Sequence, residues 1–248
     1  MADHDVEETL LLGGRVRIVQ PKRGYRVAID PVLLAAAVAC RDGDRVLDAG
    51  AGTGAAALCL AARIPQVSVI GIDADGDGVG LAAAGAERTG LAGRVAFVHG
   101  DLGCPPQVLA VESFDQVMTN PPHLAAGTGQ SPADAGKAGA TIESSMDLRA
   151  WLRCCLRLVR RSGRMTLIHR ADRLEDVLRA AGDLGDLRVF PLWPGAGRPA
   201  KRVIVAGRKG GRGLLRLLPG LVLHEPDGRF TAEASRVLRQ GQAIPLWE

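Results

Sequence analysis

Long apolar runs are missing from this sequence. The longest, such as VLLAAAVAC from Val32, stop well short of the roughly 18 residues that a membrane helix requires. The N-terminus, MADHDVEETLLLGG, is acidic and lacks the basic start and following apolar stretch of a secretory signal. A soluble cytoplasmic protein is the expectation. Cysteine is sparse: Cys40, Cys59, Cys104, Cys154 and Cys155 show no C-x-x-C spacing and have mostly aliphatic neighbours. That pattern predicts buried reduced thiols and argues against a metal cluster or a disulfide framework. Ser144 and Ser145 have no credible His/Asp partnership, which argues against a hydrolytic triad. There is no internal repeat and no long linker. With 47% apolar and 23% charged residues, disorder is not the default, and 248 residues suffice for one large α/β domain with a full core.

The net charge is only +4, but it is unevenly spread. Between Gly13 and Ile29 lie Arg15, Arg17, Lys22, Arg23 and Arg26 with no acid among them, and a second acid-free stretch runs from Arg198 to Arg216. Two separated basic blocks suggest a polyanion partner, because phosphate neutralisation with counterion release dominates such binding. Lys201, Arg202, Lys209 and Arg212 are the expected phosphate contacts, although such side chains equally cover apolar surface.

A hairpin is expected around Gly13-Gly14, followed by a helix that Asp30 caps and Pro31 opens, running to about Cys40. Strands then fit DRVLDAG, VSVIGID, RVAFVHGD, FDQVMTN and RMTLIH, alternating with helices. One of these, SSMDLRAWLRCCLRLVRRSG, carries an apolar stripe at Leu148, Leu152, Cys155, Leu156 and Val159 and is expected to end at Gly163. LRVFPLWP and KRVIVAGR read as an antiparallel pair at a sheet edge, and the tail ends in a short helix starting near Thr231. The fold class is α/β: a doubly wound, Rossmann-like, mostly parallel sheet with ligands at the carboxyl ends of its strands. One domain is expected, with residues 1–40 as hairpin and helix, 41–212 as catalytic core and 213–248 as a C-terminal extension.

VLDAGAGTGAA places Asp48 at the end of the first core strand and Gly50, Gly52 and Gly54 in the turn after it. Glycine is needed where backbone approaches a ligand or takes positive φ. The spacing also fits a dinucleotide fingerprint, with Asp73 as the ribose acid. Asp48 favours a different ligand, since a carboxylate repels a pyrophosphate but attracts a sulfonium and an amino group. S-adenosylmethionine carries both. Asp73 would accept from its ribose hydroxyls, and Asp101, with Leu102, ends the third strand where an adenine amine is read. Taken singly, Asp48 reads equally as a turn cap and Asp101 as a Gly-Asp turn. His99 and His169 end strand patterns and read as structural.

The fourth strand runs into Asn120-Pro121-Pro122-His123, with a Gly/Ala/Ser stretch from Ala125 to Ala140 behind it. Proline fixes its own backbone and pushes the residue before it into an extended conformation, so this is a rigid, carbonyl-bearing corner. The stretch behind it is expected to form a flap beside a site.

VLDAGAGTG, GIDAD, GDL and NPPH, in this order, resemble class I S-adenosylmethionine-dependent methyltransferases with an Asn-Pro-Pro-aromatic motif. QPKRGYRVAIDPVLLAAAVA and PLWPGAGRPAKRVIV are similar to the subgroup of bacterial tRNA adenine-N6 methyltransferases that act next to the anticodon of valine tRNA. The resemblance spans about Leu10 to Gly210. It implies a tRNA substrate and an amine held by the Asn120 side-chain oxygen and the Pro121 carbonyl, with Pro122 stiffening the corner. The family usually stacks a Tyr or Phe on the base at the fourth motif position, where this sequence has His123. Tyr25 and Arg26 would close over the methionine end of the cofactor, Arg26 on its carboxylate, and no metal is required. Three other readings stay open: a protein glutamine methyltransferase of the release-factor type, an NAD-binding oxidoreductase, and a non-catalytic RNA-binding protein that keeps the pocket. Release-factor enzymes usually carry a separate N-terminal helical domain, whereas only residues 1–43 precede the first core strand here.

Overall fold

The structure, a computed structural model, describes residues 6–23, 26–122 and 146–247. Among the described residues, nine strands form the central sheet. β3 (Arg45–Ala49), β4 (Ser68–Asp73), β5 (Val95–His99), β6 (Phe114–Thr119) and β7 (Val159–Arg170) run parallel in the order β5-β4-β3-β6-β7. Their residues are near-continuous apolar runs because both faces of the sheet are covered. β9 (Arg202–Lys209) pairs antiparallel with β7 on one side and with β8 (Leu184–Trp193) on the other. The antiparallel strand therefore lies one position in from β8.

On one face pack α1 (Asp30–Ala37), α2 (Ala55–Arg63), α3 (Gly76–Thr89) and the hairpin of β1 (Val6–Leu11) and β2 (Val16–Pro21). The hairpin docks on α3 through Thr89, whose hydroxyl accepts from Arg17 N at 3.0 Å and donates to Arg17 O at 3.2 Å. On the other face lie α4 (Leu148–Leu158) and α5 (Leu174–Ala180), with Leu152, Cys155 and Leu158 fully buried against Phe114, Val117 and Leu167. Asp147 caps α4, accepting from Ala150 N at 2.7 Å.

The C-terminal segment completes this core. β10 (Arg216–Leu217) and β11 (Leu221–Val222) both add to β8, and α6 (Ala232–Gln240), capped by Thr231, packs on α1. Ile244 N donates to Ala36 O at 2.8 Å, and Trp193 Nε1 to Pro219 O at 3.1 Å. The segment covers the exposed side of β8, which removes a free edge from the sheet.

Four local expectations need correction. Asp30 does not cap α1: Ile29 holds the cap position, and the Asp30 carboxylate accepts from Arg202 Nε at 2.8 Å. α1 also ends at Ala37, short of Cys40. The third concerns Gly163, which does not end a helix. α4 stops at Leu158, Val159 pairs with Phe114 in the sheet, and Arg160 turns to Asp115 at 2.6 Å. Gly163 then completes a bulge so tight that a Cβ would lie 2.8 Å from Asp115 O. All five cysteines are free thiols, and burial pushes Cys40 and Cys59 up to about 12, but Cys104 is exposed rather than buried.

Candidate active site

β3 and β6 are neighbours, so the glycine loop and the proline corner emerge side by side from the carboxyl edge of the sheet. Gly50 and Gly52 have φ of 76° and 52°, which L side chains rarely adopt. A Cβ on Gly50 would come within 2.9 Å of the Trp151 indole, whereas one on Gly52 would meet nothing within 4 Å. The loop is thus packed tightly at its start and open at its middle, as a backbone surface for a ligand requires. Gly54, also at positive φ, lets the start of α2 close on Phe97.

Asp48 lies beneath this loop, buried, and its Oδ2 accepts from Ala57 N at 3.1 Å, so it serves the third residue of α2 as a cap. Burial pushes its carboxyl up to about 7, against the pull of the Ala57 N–H, and Asp73 adds to the rise. Asp73, at the end of β4, holds the loop from the side. Its Oδ2 accepts from Gly52 N at 2.7 Å and its Oδ1 from Asp75 N at 2.9 Å. Asp101 is exposed and folds into its own turn, accepting from Gly103 N at 2.8 Å. The Leu102 side chain belongs to the core, which leaves only its backbone for a ligand. His99 ends β5 with a ring nitrogen 3.0 Å from Ala74 O.

At the corner, Pro121 is buried and Pro122 half-buried. Among the described residues, the buried Asn120 Oδ1 has no hydrogen-bond partner. Leaving such an acceptor unmet costs about 1–3 kcal/mol, which calls for a reason. Tyr25, His123 and the stretch from Ala125 to Ala140 lie outside the described residues.

Sequence reasoning missed a relay behind the corner. Trp151 Nε1 donates to Thr119 Oγ1 at 2.9 Å, and that hydroxyl donates to Ala49 O at 2.7 Å. Residues immediately before Asn120 and before Gly50 are therefore pinned to one another, and Trp151 covers Gly50. Trp151 falls on the α4 face that carries Leu148 and Cys155, and an inward-facing indole needs an acceptor. That signal could have found it. Trp151→Phe keeps the packing and removes the donor, so we expect a loss of about 1 kcal/mol, or roughly 2–4 °C in Tm. An unchanged thermal melt would show that the relay does not hold the corner.

Beyond Pro121 and Pro122 lies a cavity of about 310 Å³, lined also by Met146, Arg149, Trp151, His169 and Arg173. His169 thus faces a concavity and is only 2% exposed.

The two basic blocks are partly engaged within the fold, through Arg15, Arg17 and Arg26 in the first and Arg202, Arg208 and Lys209 in the second. Strand pairing brings Glu7 and Glu8 across the hairpin, where Arg26 pairs with Glu7 at 2.5 Å and Arg17 with Glu8 at 2.8 Å. Arg26 is thus engaged by Glu7 at the hairpin. Arg15 donates to Gln240 O at 2.6 Å. In the second block Arg202 holds Asp30, and Lys209 holds Glu112 at 2.9 Å and Val159 O at 2.8 Å. Lys201 and Arg212 have no ion pair among the described residues.

Residues 41–182 match the family model described as a methyltransferase domain. A tRNA1(Val) (adenine(37)-N6)-methyltransferase of Dickeya chrysanthemi is 28% identical over 230 residues, covering 90% of this chain and 89% of that one. Among solved structures, a predicted O-methyltransferase of Agrobacterium tumefaciens superposes with a TM-score of 0.72 at 24% identity, over 87% of this chain and 98% of that one. A S-adenosylmethionine-dependent O-methyltransferase of Thermotoga maritima gives a TM-score of 0.54 at 15% identity, over 77% and 68%. These two likenesses establish the fold.

Proposed function

Because the chain belongs to the methyltransferase domain family and uses S-adenosylmethionine as its methyl donor, we propose that the acceptor is the N6 amine of an adenosine in tRNA. The observation that carries this reading is the unmet Asn120 Oδ1 beside a carbonyl that two prolines hold fixed. The Dickeya chrysanthemi relative, whose name gives that reaction, supports it.

The glycine loop fits the cofactor, because Gly52 faces open space and Asp73 already fixes the loop backbone from one side. Asp73 would take the ribose hydroxyls, the turn at Asp101 and Leu102 the adenine edge, and Asp48 the positive end. When bound, S-adenosylmethionine supplies a methyl group on a sulfonium. The residues of the corner prepare the other reactant. An exocyclic amine is a poor nucleophile because its lone pair is delocalised into the ring. With one N–H donated to Asn120 Oδ1 and the other to the Pro121 carbonyl, the nitrogen pyramidalises and its lone pair is aimed. That is preorganised electrostatics combined with alignment, and no covalent intermediate on the protein is involved. The base must leave its own stack to reach the corner, at a cost of a few kcal/mol.

Asp48 gives this reading a pH signature. With its carboxyl pushed up to about 7, the free protein holds it protonated below neutrality. Folding contributes nothing through this group below its unfolded value of 3.8, and stability is lost as pH rises from there through about 7. A cation beside it favours the ionised form, so binding S-adenosylmethionine releases a proton. Affinity is expected to rise about tenfold or more between about pH 5 and about pH 6.5, below the range where the ligand's own amine titrates. Asp48→Asn should flatten that rise in calorimetric titration, and an equally steep rise in the variant would remove Asp48 from the cofactor site.

The acceptor itself is tested by incubating the protein with labelled S-adenosylmethionine and either total tRNA or a release factor, then digesting to nucleosides or peptides. Label in N6-methyladenosine is the expected result. Label in glutamine alone would replace the reading with the protein-modifying one.

A further inference from the structure

With part of the two basic blocks engaged within the fold, a further cationic surface stands out. Arg149, Arg153 and Arg157 recur at every fourth position of α4, on its exposed side, opposite the buried Leu152 and Cys155. That spacing stacks them along one helix face, about 6 Å apart along the axis. Among the described residues none of the three forms an ion pair, whereas Arg160, just beyond the helix, is held by Asp115. Among the described residues, the acids near the row make their contacts elsewhere. Asp147 is engaged as the helix cap, Glu112 holds Lys209, and Asp101 accepts from the Gly103 N–H.

The row also starts in the right place. Arg149 lines the cavity that Pro121, Pro122 and Trp151 wall, together with Arg179 from α5 and Arg173 just before it. Arg173 and Arg179 are paired with Asp176 and Glu175, at 2.5 and 2.6 Å, so among the described residues Arg149 is the arginine at this mouth without an acid partner. From the corner, the row leads away along the outside of α4.

We propose that Arg149, Arg153 and Arg157 form the track for the phosphate backbone of the RNA substrate, running outward from the Asn-Pro-Pro corner. The occupant is a polyanionic strand because the row offers three exposed, evenly spaced guanidiniums that, among the described residues, have no acid partner. Guanidinium forks suit phosphate oxygens, and contacts of this kind position a strand without reading its sequence. The track rests on the reading of the acceptor as RNA. It transfers the main phosphate footprint from Lys201, Arg202, Lys209 and Arg212 to α4.

The test is fluorescence anisotropy of labelled total tRNA against salt concentration, for wild type, Arg149→Gln/Arg153→Gln/Arg157→Gln, and Lys201→Gln/Arg212→Gln. All five positions are exposed, and calorimetry with S-adenosylhomocysteine checks that each variant is folded. The triple variant is expected to bind about tenfold or more weakly, with a slope of log affinity against log salt shallower by about 2, for three lost contacts at roughly 0.7 each. If wild type binds and the triple variant keeps its slope while Lys201→Gln/Arg212→Gln loses it, the track is wrong and the RNA reading stands. If wild type shows no salt-dependent binding to tRNA, the track and the RNA reading fall together.

Discussion

Asn120→Ala is expected to lower the turnover of tRNA methylation by about 10²–10³-fold while S-adenosylhomocysteine binds as tightly as to wild type, because an oxygen aimed at the developing charge acts mainly in the transition state. The loss should appear in kcat and in kcat/KM alike, the signature of a contact made only at the transition state. Stability supplies an independent check. The Asn120 oxygen is buried and, among the described residues, unpartnered, so removing it takes away an unmet polar atom. Tm should therefore equal or exceed that of wild type. Such a result would mark the residue as one kept for activity at the expense of the fold. Lower turnover with a lower Tm would point to a structural asparagine instead.

Asp73→Ala is expected to weaken S-adenosylhomocysteine binding about a hundredfold in calorimetry. Two losses combine. The Gly52 N–H, now held at 2.7 Å, loses its acceptor, so the loop no longer arrives in a fixed shape. The ribose hydroxyls also lose a charged acceptor, and a hydrogen bond to a charged group contributes about 1.5–3 kcal/mol. Asp73→Asn separates the two, because its amide oxygen can still accept from Gly52 and restores part of the loop. An affinity in Asp73→Ala within twofold of wild type would place the nucleoside elsewhere.

The sheet was legible because each parallel strand is buried on both faces and so reads as a short apolar run closed by a turn. The glycine loop and the proline corner were legible for a related reason: positive φ and a stiffened strand end leave few residue types to choose from. Charge was not. Glu8 and Arg17 lie nine positions apart and Asp30 and Arg202 172 apart, so an acid-free stretch of sequence says nothing about the acids that folding brings to it. The same limit hid the relay from Trp151 through Thr119 to Ala49, which spans three elements. The arginine row on α4 was readable by period, but the apolar stripe on the opposite face drew attention first. Asp48 and Asp101 show how two readings of one residue coexist: each is the turn or cap its local sequence suggests, at a place where the cofactor reading also needs it.

The position of the acceptor nitrogen decides the mechanism most directly. A crystal structure of the protein with S-adenosylhomocysteine and an adenosine-containing RNA should place N6 within about 2.7–3.2 Å of both Asn120 Oδ1 and the Pro121 carbonyl, facing the sulfur. A base bound with N6 turned from those two oxygens, or Asn120 Oδ1 satisfied by a protein group in the complex, would contradict it.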